Sequence, residues 1–82
     1  MEYDRDKVDE VTLALLWLIS FKEAGTKRAW KGHDWDTMDR LYSKGYISDP
    51  KSQAKSVLMS EDGEKLSKEL FTKFFLLESK NS

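Results

Sequence analysis

The sequence predicts a mainly helical domain with one β-hairpin, in the order α-α-α-β-β-α along the chain. Apolar residues recur at helical spacing over residues 8–21 and again over 66–77, which predicts the first and the last helix. Between them, short apolar runs on either side of a polar Asp-Pro segment predict the hairpin. Because 82 residues is the length of one small domain, we expect residues 1–82 to fold as a single unit.

The first helix is predicted to run from Asp4 to about Glu23. Asp4 or Asp6 would be its N-cap, and further acidic residues lie in the first turn, where the helix dipole favours them. Apolar residues cover most of its circumference, so it needs cover on more than one side. Gly25 suits the left-handed conformation that ends many helices. One apolar stripe of this helix comprises Val8, Val11, Leu15 and Leu18.

Residues 26–31 are predicted to form one short helical turn around Trp30, which Gly32 breaks. Trp30 falls on no apolar stripe, so we expect it to be partly exposed. A second helix is expected over residues 34–44, with Gly45 as its left-handed cap. The side of this helix that we expect to be buried carries Trp35, Met38, Leu41 and Tyr42.

The predicted hairpin pairs residues 46–47 with residues 56–59, and the polar connection between them has Asp-Pro turn chemistry and a basic tip. Ser60 is the predicted N-cap of the last helix, with acidic residues following it. The last five residues, 78–82, are expected to fray. The apolar stripe of the last helix comprises Leu66, Leu70, Phe74 and Leu77.

Composition excludes several classes of protein. The chain has no cysteine, which excludes disulfide scaffolds, thiolate zinc sites and thiol nucleophiles. Its first ten residues, MEYDRDKVDE, are charged rather than an apolar signal segment. The most apolar stretch, residues 11–21, is far shorter than the roughly 20 residues that cross a bilayer. We therefore expect a soluble cytoplasmic protein without a membrane partner.

The segment WKGHDWDTMDRL, residues 30–41, contains the single histidine and three aspartates. A metal site needs three or four converging ligands, usually from separate elements. His33, Asp34 and Asp36 instead start one helix and point in different directions, so helix capping by an aspartate is the favoured interpretation. The chain also lacks a phosphate-binding glycine loop or another enzymatic motif. We therefore expect no catalytic residue, no metal, no cofactor and no enzymatic activity.

Residues 41–66 read LYSKGYISDPKSQAKSVLMSEDGEKL, and this third of the chain resembles winged helix-turn-helix regulators of the bacterial MarR and PadR types. In those regulators the recognition helix ends in Leu-x-x-Lys-Gly-Tyr/Leu-Ile, a ribbon follows, and Ser/Thr-Glu-x-Gly opens the next helix. The resemblance implies a winged-helix-like domain, double-stranded DNA as partner, transcription regulation and dimerisation through the terminal helices. The matching positions are Leu41, Lys44, Gly45, Tyr46, Ile47, Ser60, Glu61 and Gly63.

The whole chain, above all AWKGHDWDTMDRLYSKGYISDPKSQAKSV, is similar to a small family of uncharacterised bacterial proteins known as a domain of unknown function. That resemblance implies a bacterial origin and no particular activity.

Basic residues supply the candidates for a nucleic-acid contact. Residues 22–55 carry eight basic and five acidic side chains, although the whole chain has a net charge of −1. Asp34, Asp36 and Asp39 argue against duplex binding, since they lie at the end of the second helix that would approach the phosphates. The candidates are Lys27, Arg28 and Lys31 before the second helix, Arg40 and Lys44 on it, and Lys51 and Lys55 in the hairpin connection.

Two functions are consistent with these patterns. The first is a DNA-binding regulatory module that uses the basic residues. The second is a protein-interaction module on the same scaffold, which binds a basic or apolar partner through Trp30 and Asp36 and does not bind nucleic acid. For both functions, the wide apolar faces of residues 8–21 and 66–77 predict that the two helices pack together and form a homodimer interface.

Overall fold

Three helices and one three-stranded antiparallel sheet make up the part of the chain that the computed structural model describes, residues 1–77. The predicted frayed tail at 78–82 lies outside the described residues. The sheet has the strand order β1-β2-β3. The observed order is therefore α-β-β-α-β-α, and the predicted order α-α-α-β-β-α is wrong from its second to its fourth element. The elements are α1 (Arg5–Ile19), β1 (Phe21–Glu23), β2 (Thr26–Trp30), α2 (Trp35–Ser43), β3 (Ser56–Leu58) and α3 (Glu61–Phe75).

Helix α1 begins where predicted and ends four residues early. The carboxylate of Asp4 accepts a hydrogen bond from the Lys7 N–H at 3.0 Å, which confirms the N-cap. At the other end Ser20 is extended, and its hydroxyl donates to the carbonyl of Trp17 at 2.6 Å. Residues 21–23 then form β1 instead of the last turn of α1.

A two-residue turn joins β1 to β2. Ala24 and Gly25 have φ angles of 51° and 81°, and a type I′ hairpin turn requires positive φ at both positions. Gly25 thus adopts the left-handed conformation, but in a hairpin and not at a helix end. The helical turn predicted at residues 26–31 is wrong. In the sheet, the backbone N–H and C=O groups of β2 form hydrogen bonds with β1 on one side and β3 on the other. An isolated helical turn would leave most of these groups without a hydrogen-bond partner.

Helix α2 ends in the predicted glycine cap. Gly45 has a φ angle of 83°, and its N–H donates to the Tyr42 carbonyl at 2.9 Å. The Tyr46 N–H donates to the Leu41 carbonyl at 3.1 Å, which completes a Schellman motif.

The buried side of α2 is only partly the predicted one. Met38 and Leu41 are buried, and Thr37 is buried beside them. Trp35 is 54% exposed and Tyr42 46% exposed, so the prediction that these two aromatic residues belong to the core is wrong. Both are on the solvent side because the helix turns its Thr37, Met38 and Leu41 side inward.

The predicted hairpin forms in part. Ile47 and Met59 make an isolated antiparallel bridge, so the two predicted segments do pair. The main partner of β3, however, is β2, with Ala29 opposite Val57. The predicted strand at residues 56–59 is therefore a strand of the larger sheet, whereas the predicted strand at residues 46–47 contributes only the bridge at Ile47.

Helices α1 and α3 pack against each other, as predicted. The Lys7 ammonium group lies 4.0 Å from the centroid of the Phe74 ring, and the rings of Trp17 and Phe71 are 5.0 Å apart. Lys7 is near the start of α1 and Phe74 near the end of α3, whereas Trp17, near the end of α1, lines one surface groove with Glu64 from the first turn of α3. The two helices therefore run in opposite directions. Over residues 1–77, none of the helices has both the length and the apolar character needed to span a bilayer.

The buried side of α1 differs from the predicted stripe. Asp9, Leu13 and Leu16 face the core at spacings of four and three, whereas Leu18 of the predicted stripe is exposed. The hydrophobic core consists of Leu13, Ala14, Leu16, Ala29, Met38, Leu41, Ile47, Val57, Met59 and Leu70.

Candidate functional site

The sheet has an inner face toward the core and an outer face toward solvent. Successive side chains of a strand point to opposite faces. Since Ala29 and its cross-strand partner Val57 are buried, they define the inner face. Arg28 and Trp30 therefore belong to the outer face.

This outer face carries an aromatic pair beside an arginine. The ring centroids of Phe21 and Trp30 are 5.1 Å apart with an angle of 37° between the ring planes, and Trp30 is half exposed. The strand register places Phe21 and Leu58 on either side of Arg28. We refer to Phe21, Arg28, Trp30 and Leu58 as the outer-face cluster. The predicted partial exposure of Trp30 is confirmed.

Arg28 is held in place by the neighbouring strand. Its Nε donates to the Ser56 hydroxyl at 2.7 Å, and its Nη2 donates to the Ser56 carbonyl at 3.1 Å. These bonds use two of the five N–H donors of the guanidinium group. A guanidinium fixed in this way loses little side-chain entropy when it binds a phosphate or a carboxylate.

Lys31 fixes the connection that precedes β3. Its ammonium group donates to the carbonyl oxygens of Pro50 and Ser52 at 2.7 and 2.6 Å. Lys51 and Lys55 are exposed on this connection, and the Lys31 N–H donates to the Lys55 carbonyl at 3.3 Å. The predicted basic tip is therefore attached beside the end of β2 that carries Trp30.

Strand alternation separates the three basic residues that were predicted to act together before α2. Lys27 projects on the side of the inner face and Arg28 on the other, whereas Lys31 follows the end of β2 and binds the connection before β3. Arg28 is thus the member of this group that shares a surface with the exposed tryptophan of β2.

The two candidate cations on α2 bind a carboxylate of α1. The Nε of Arg40 lies 2.9 and 3.0 Å from the two carboxylate oxygens of Asp9, and the Lys44 ammonium group lies 2.8 Å from Oδ2. The Asp9 side chain is only 3% exposed. Burial raises the pKa of Asp9, but hydrogen bonds from Arg40 and Lys44 outweigh it and hold that pKa below its ordinary value. Asp9 was not predicted as a buried residue from the sequence. Its helical spacing from Leu13 and Leu16 could have indicated that this carboxylate lies on the buried side of α1.

Asp34 caps α2. Its Oδ2 accepts hydrogen bonds from the Thr37 hydroxyl at 2.8 Å and the Thr37 N–H at 3.0 Å, and these bonds lower the pKa of the Asp34 carboxyl. The capping interpretation is therefore confirmed. Within residues 1–77, no group of three or more His, Asp or Glu side chains is arranged to hold a metal ion.

Helix α2 also presents a second surface. Trp35, Asp39 and Tyr42 follow one another at spacings of four and three, which places them on one side of the helix. Asp36 is exposed next to Trp35 in the first turn. This acidic and aromatic side of α2 is distinct in composition from the outer-face cluster.

Residues 4–77 match the family described as domain of unknown function DUF6429. The chain belongs to this family. It is 47% identical over 75 residues to the uncharacterised protein y4hR of Sinorhizobium fredii (strain NBRC 101917 / NGR234), across 92% of this chain and 97% of that protein. No solved structure matches. The similarity to a small family of unknown function is confirmed. These comparisons do not confirm the resemblance to MarR and PadR regulators.

Basic and acidic side chains are unevenly distributed along this DUF6429 chain. The β1–β2 hairpin with Lys31 and the segment 48–58 together carry six basic and two acidic side chains, while the rest of the chain carries eight basic and thirteen acidic ones. The sheet and its connection are therefore the positively charged part of the DUF6429 fold. The six basic residues are Lys22, Lys27, Arg28, Lys31, Lys51 and Lys55.

Proposed function

We propose that this protein is a non-enzymatic nucleic-acid-binding module of the bacterial cytoplasm, and that it binds through the outer face of its sheet. The proposal rests on one observation, which is that the side chains of Phe21, Arg28 and Trp30 lie together on the outer face of the sheet. Aromatic rings stack on nucleobases, and a guanidinium group binds phosphate oxygens. The basic connection with Lys51 and Lys55 adds positive charge beside this surface.

Helix α2 is a poor candidate for the main contact. The recognition helix of a helix-turn-helix presents its N-terminal residues to base edges. In α2 these include Asp36 and Asp39, which phosphates repel. Arg40 and Lys44 both pair with the buried Asp9, and Lys44 also lies 3.6 Å from the carboxylate of Asp6, so their charge is largely balanced within the fold. The winged-helix mode of duplex reading is therefore less favoured than binding by the sheet.

Fluorescence anisotropy with labelled single-stranded and duplex oligonucleotides at low salt tests the proposal. We expect saturable binding that weakens as salt rises, because bound phosphates release counterions. Lys55→Glu should weaken binding, whereas the matched charge reversal Lys73→Glu, on the last turn of α3, should not. Failure of both oligonucleotides to bind at low salt would overturn the proposal.

A second candidate function rests on α2. Trp35 and Tyr42 are large aromatic residues exposed on one side of this helix, which also carries the half-buried Asp39. Exposed aromatic anchors of this kind are typical of helices that bind a groove on another protein. We propose, as the alternative, that this side of α2 binds a basic or apolar protein segment without any role for nucleic acid.

The sequence prediction paired Asp36 with Trp30 for this contact; in the structure Trp35 is the tryptophan that shares α2 with Asp36. If the alternative is correct, Asp36→Lys and Trp35→Ala will each reduce recovery of the same protein in affinity purification from bacterial lysate. Lys55→Glu should leave that recovery unchanged. A set of captured proteins that is the same for all variants would contradict the alternative.

A further inference from the structure

We infer that the ligand of the outer-face cluster is single-stranded DNA, whose bases stack on Trp30 and Phe21 while Arg28 binds an adjoining phosphate. In this we rely on the nucleic-acid function proposed above and narrow its ligand. Four features of the surface lead to the inference: the access to the aromatic rings, the position of the cluster on a sheet face, the position of the guanidinium group, and the kinds of side chain that are present.

The aromatic rings are accessible from the side of the sheet. Trp30 has more than half of its surface exposed to solvent. Its ring centroid lies 5.1 Å from that of Phe21, and this contact limits the directions in which the indole can turn. Unpaired bases present their faces to such rings, and stacking of this kind tolerates any base because every base has a π-face. Bases within a duplex are already stacked on each other and cannot use the rings in this way.

Nothing in the outer-face cluster is shaped to enter a duplex groove. Sequence readout of a duplex needs a helix, a ribbon or an extended arm that reaches base edges. The cluster instead lies on the face of three short strands, and the residues across from Arg28 are Phe21 and Leu58. A single strand laid across the strands can meet this surface without insertion.

The guanidinium group of Arg28 lies close to the place that the phosphate of a nucleotide stacked on Trp30 would take. Arg28 and Trp30 are two residues apart on one strand face, which corresponds to about 6.6 Å between their Cα atoms. The bonds from Arg28 to Ser56 hold the guanidinium group on β3, beside the aromatic pair. A phosphate that follows a base stacked on Trp30 is then within reach of a fixed cation.

The side chains present favour DNA as the single strand. Selection of RNA depends on contacts to the 2′-hydroxyl group. The four residues of the outer-face cluster contain no hydroxyl or amide side chain. The hydroxyl of Ser56, opposite Trp30, is buried and accepts the hydrogen bond from Arg28. The hydroxyl of Thr26, on the same face of β2, donates to the Glu23 carbonyl at 2.7 Å, so both hydroxyl groups beside the cluster have partners within the sheet. We therefore expect a ribose to add no affinity over a deoxyribose on this surface.

The test is a binding titration of the intact protein with oligo(dT), with the same strand annealed to oligo(dA), and with oligo(rU), all at one low salt concentration. We expect oligo(dT) to bind about tenfold more tightly than the duplex, and at least as tightly as oligo(rU). Trp30→Ala should weaken oligo(dT) binding about tenfold, since one stacking platform is lost. Trp30→Phe should restore most of it, which separates stacking from a folding defect. Trp35→Ala, on α2, is the matched control and should leave oligo(dT) binding unchanged.

Duplex binding that equals or exceeds oligo(dT) binding would overturn the inference and leave the proposed nucleic-acid function in place. Preferential binding of oligo(rU) would also overturn it, as would an unchanged affinity of Trp30→Ala for oligo(dT). If none of the three nucleic acids binds, the proposed function itself fails. Loss of oligo(dT) binding in Trp30→Ala with recovery in Trp30→Phe supports the inference.

Discussion

Asp9 of α1 and Arg40 of α2 form a two-pronged ion pair, in which Nη2 of Arg40 lies 2.7 Å from Oδ1 of Asp9 and Nε bonds to both carboxylate oxygens. Asp9 is buried, whereas the Arg40 side chain is 25% exposed. Lys44 makes a second ion pair with the same carboxylate. This one carboxylate therefore links the first helix to the second at two points.

Replacement of Asp9 by Asn should destabilise the fold. The substitution keeps the shape of the side chain but leaves Arg40 and Lys44 without their counter-charge. We expect the free energy of unfolding to fall by about 3 kcal/mol, the lower end for a broken buried ion pair because both cations can still contact water. Urea denaturation gives the value. Asp6→Asn is the matched control, since the Asp6 side chain is almost fully exposed at 3.6 Å from Lys44, and it should change little.

The same ion pair predicts loss of stability in acid. Burial raises the pKa of Asp9, but the hydrogen bonds from Arg40 and Lys44 outweigh that effect, so the pKa of Asp9 is lower in the folded than in the unfolded chain. Such a group contributes stability that is complete above the unfolded-state pKa of about 3.9 and is lost as pH falls through the folded-state pKa. Urea denaturation of the wild type and of Asp9→Asn over this acid range should show a steeper decline for the wild type. Parallel declines would contradict the prediction.

Gly63 should not tolerate a side chain. A β-carbon at this position would overlap the carbonyl oxygen of Tyr46 and lie 2.8 Å from its carbonyl carbon. That carbonyl cannot easily move, because it accepts a hydrogen bond from the Ser60 N–H at 3.0 Å. We expect Gly63→Ala to lower the free energy of unfolding by about 2 kcal/mol, as overpacking does. Gly32→Ala meets no atom within 4 Å and should be close to neutral in the same denaturation experiment.

The turn between β1 and β2 offers a stabilising substitution. Ala24 has a φ angle of 51°, a conformation that disfavours a β-carbon and that Asn adopts more readily. Ala24→Asn should raise the free energy of unfolding by about 0.5 kcal/mol, because Asn-Gly is a preferred type I′ pair. Ala54→Asn, at an exposed position without positive φ, is the control. Equal effects of the two changes in denaturation would show that the turn is not responsible.

The homodimer stays a prediction, and the structure sharpens its test. Val8, Val11 and Leu15 are half-buried and Leu18 is exposed, so the predicted stripe of α1 is left outside the core. We expect a dimer by size-exclusion chromatography with light scattering, and a folded monomer for Leu18→Glu. Ser43→Glu, on α2, should remain dimeric. A wild-type protein that runs as a clean monomer at high micromolar concentration would contradict the prediction.

Helix boundaries set by local chemistry were predictable from the sequence. Asp4, Asp34 and Ser60 accept hydrogen bonds from N–H groups three residues further on, and Gly45 takes the left-handed cap. Each of these contacts involves neighbours in the chain, so residue type and position are sufficient to indicate it. The end of α1 was missed because residues 21–23 pair with β2 through a turn that contains Ala in place of the usual Asn.

Contacts between distant residues were not predictable. β2 pairs with β3 across more than 25 residues, and no short-range pattern records that pairing. The burial of Asp9 depends on Arg40, 31 residues away. In the candidate site, Arg28 and Trp30 were named from the sequence as residues for two different functions. Phe21 was not named at all, because it was assigned to the first helix.

The antiparallel packing of α1 and α3 has a consequence for biosynthesis. The side of α1 that Phe71 and Phe74 touch is synthesised before α3, which covers it, because α3 follows α1 in the chain. Until α3 has left the ribosome, Trp17 lacks its contact with Phe71, so the packing of α1 against α3 cannot form before then. During that interval we expect the apolar side of α1 to be open to chaperones that bind exposed apolar segments.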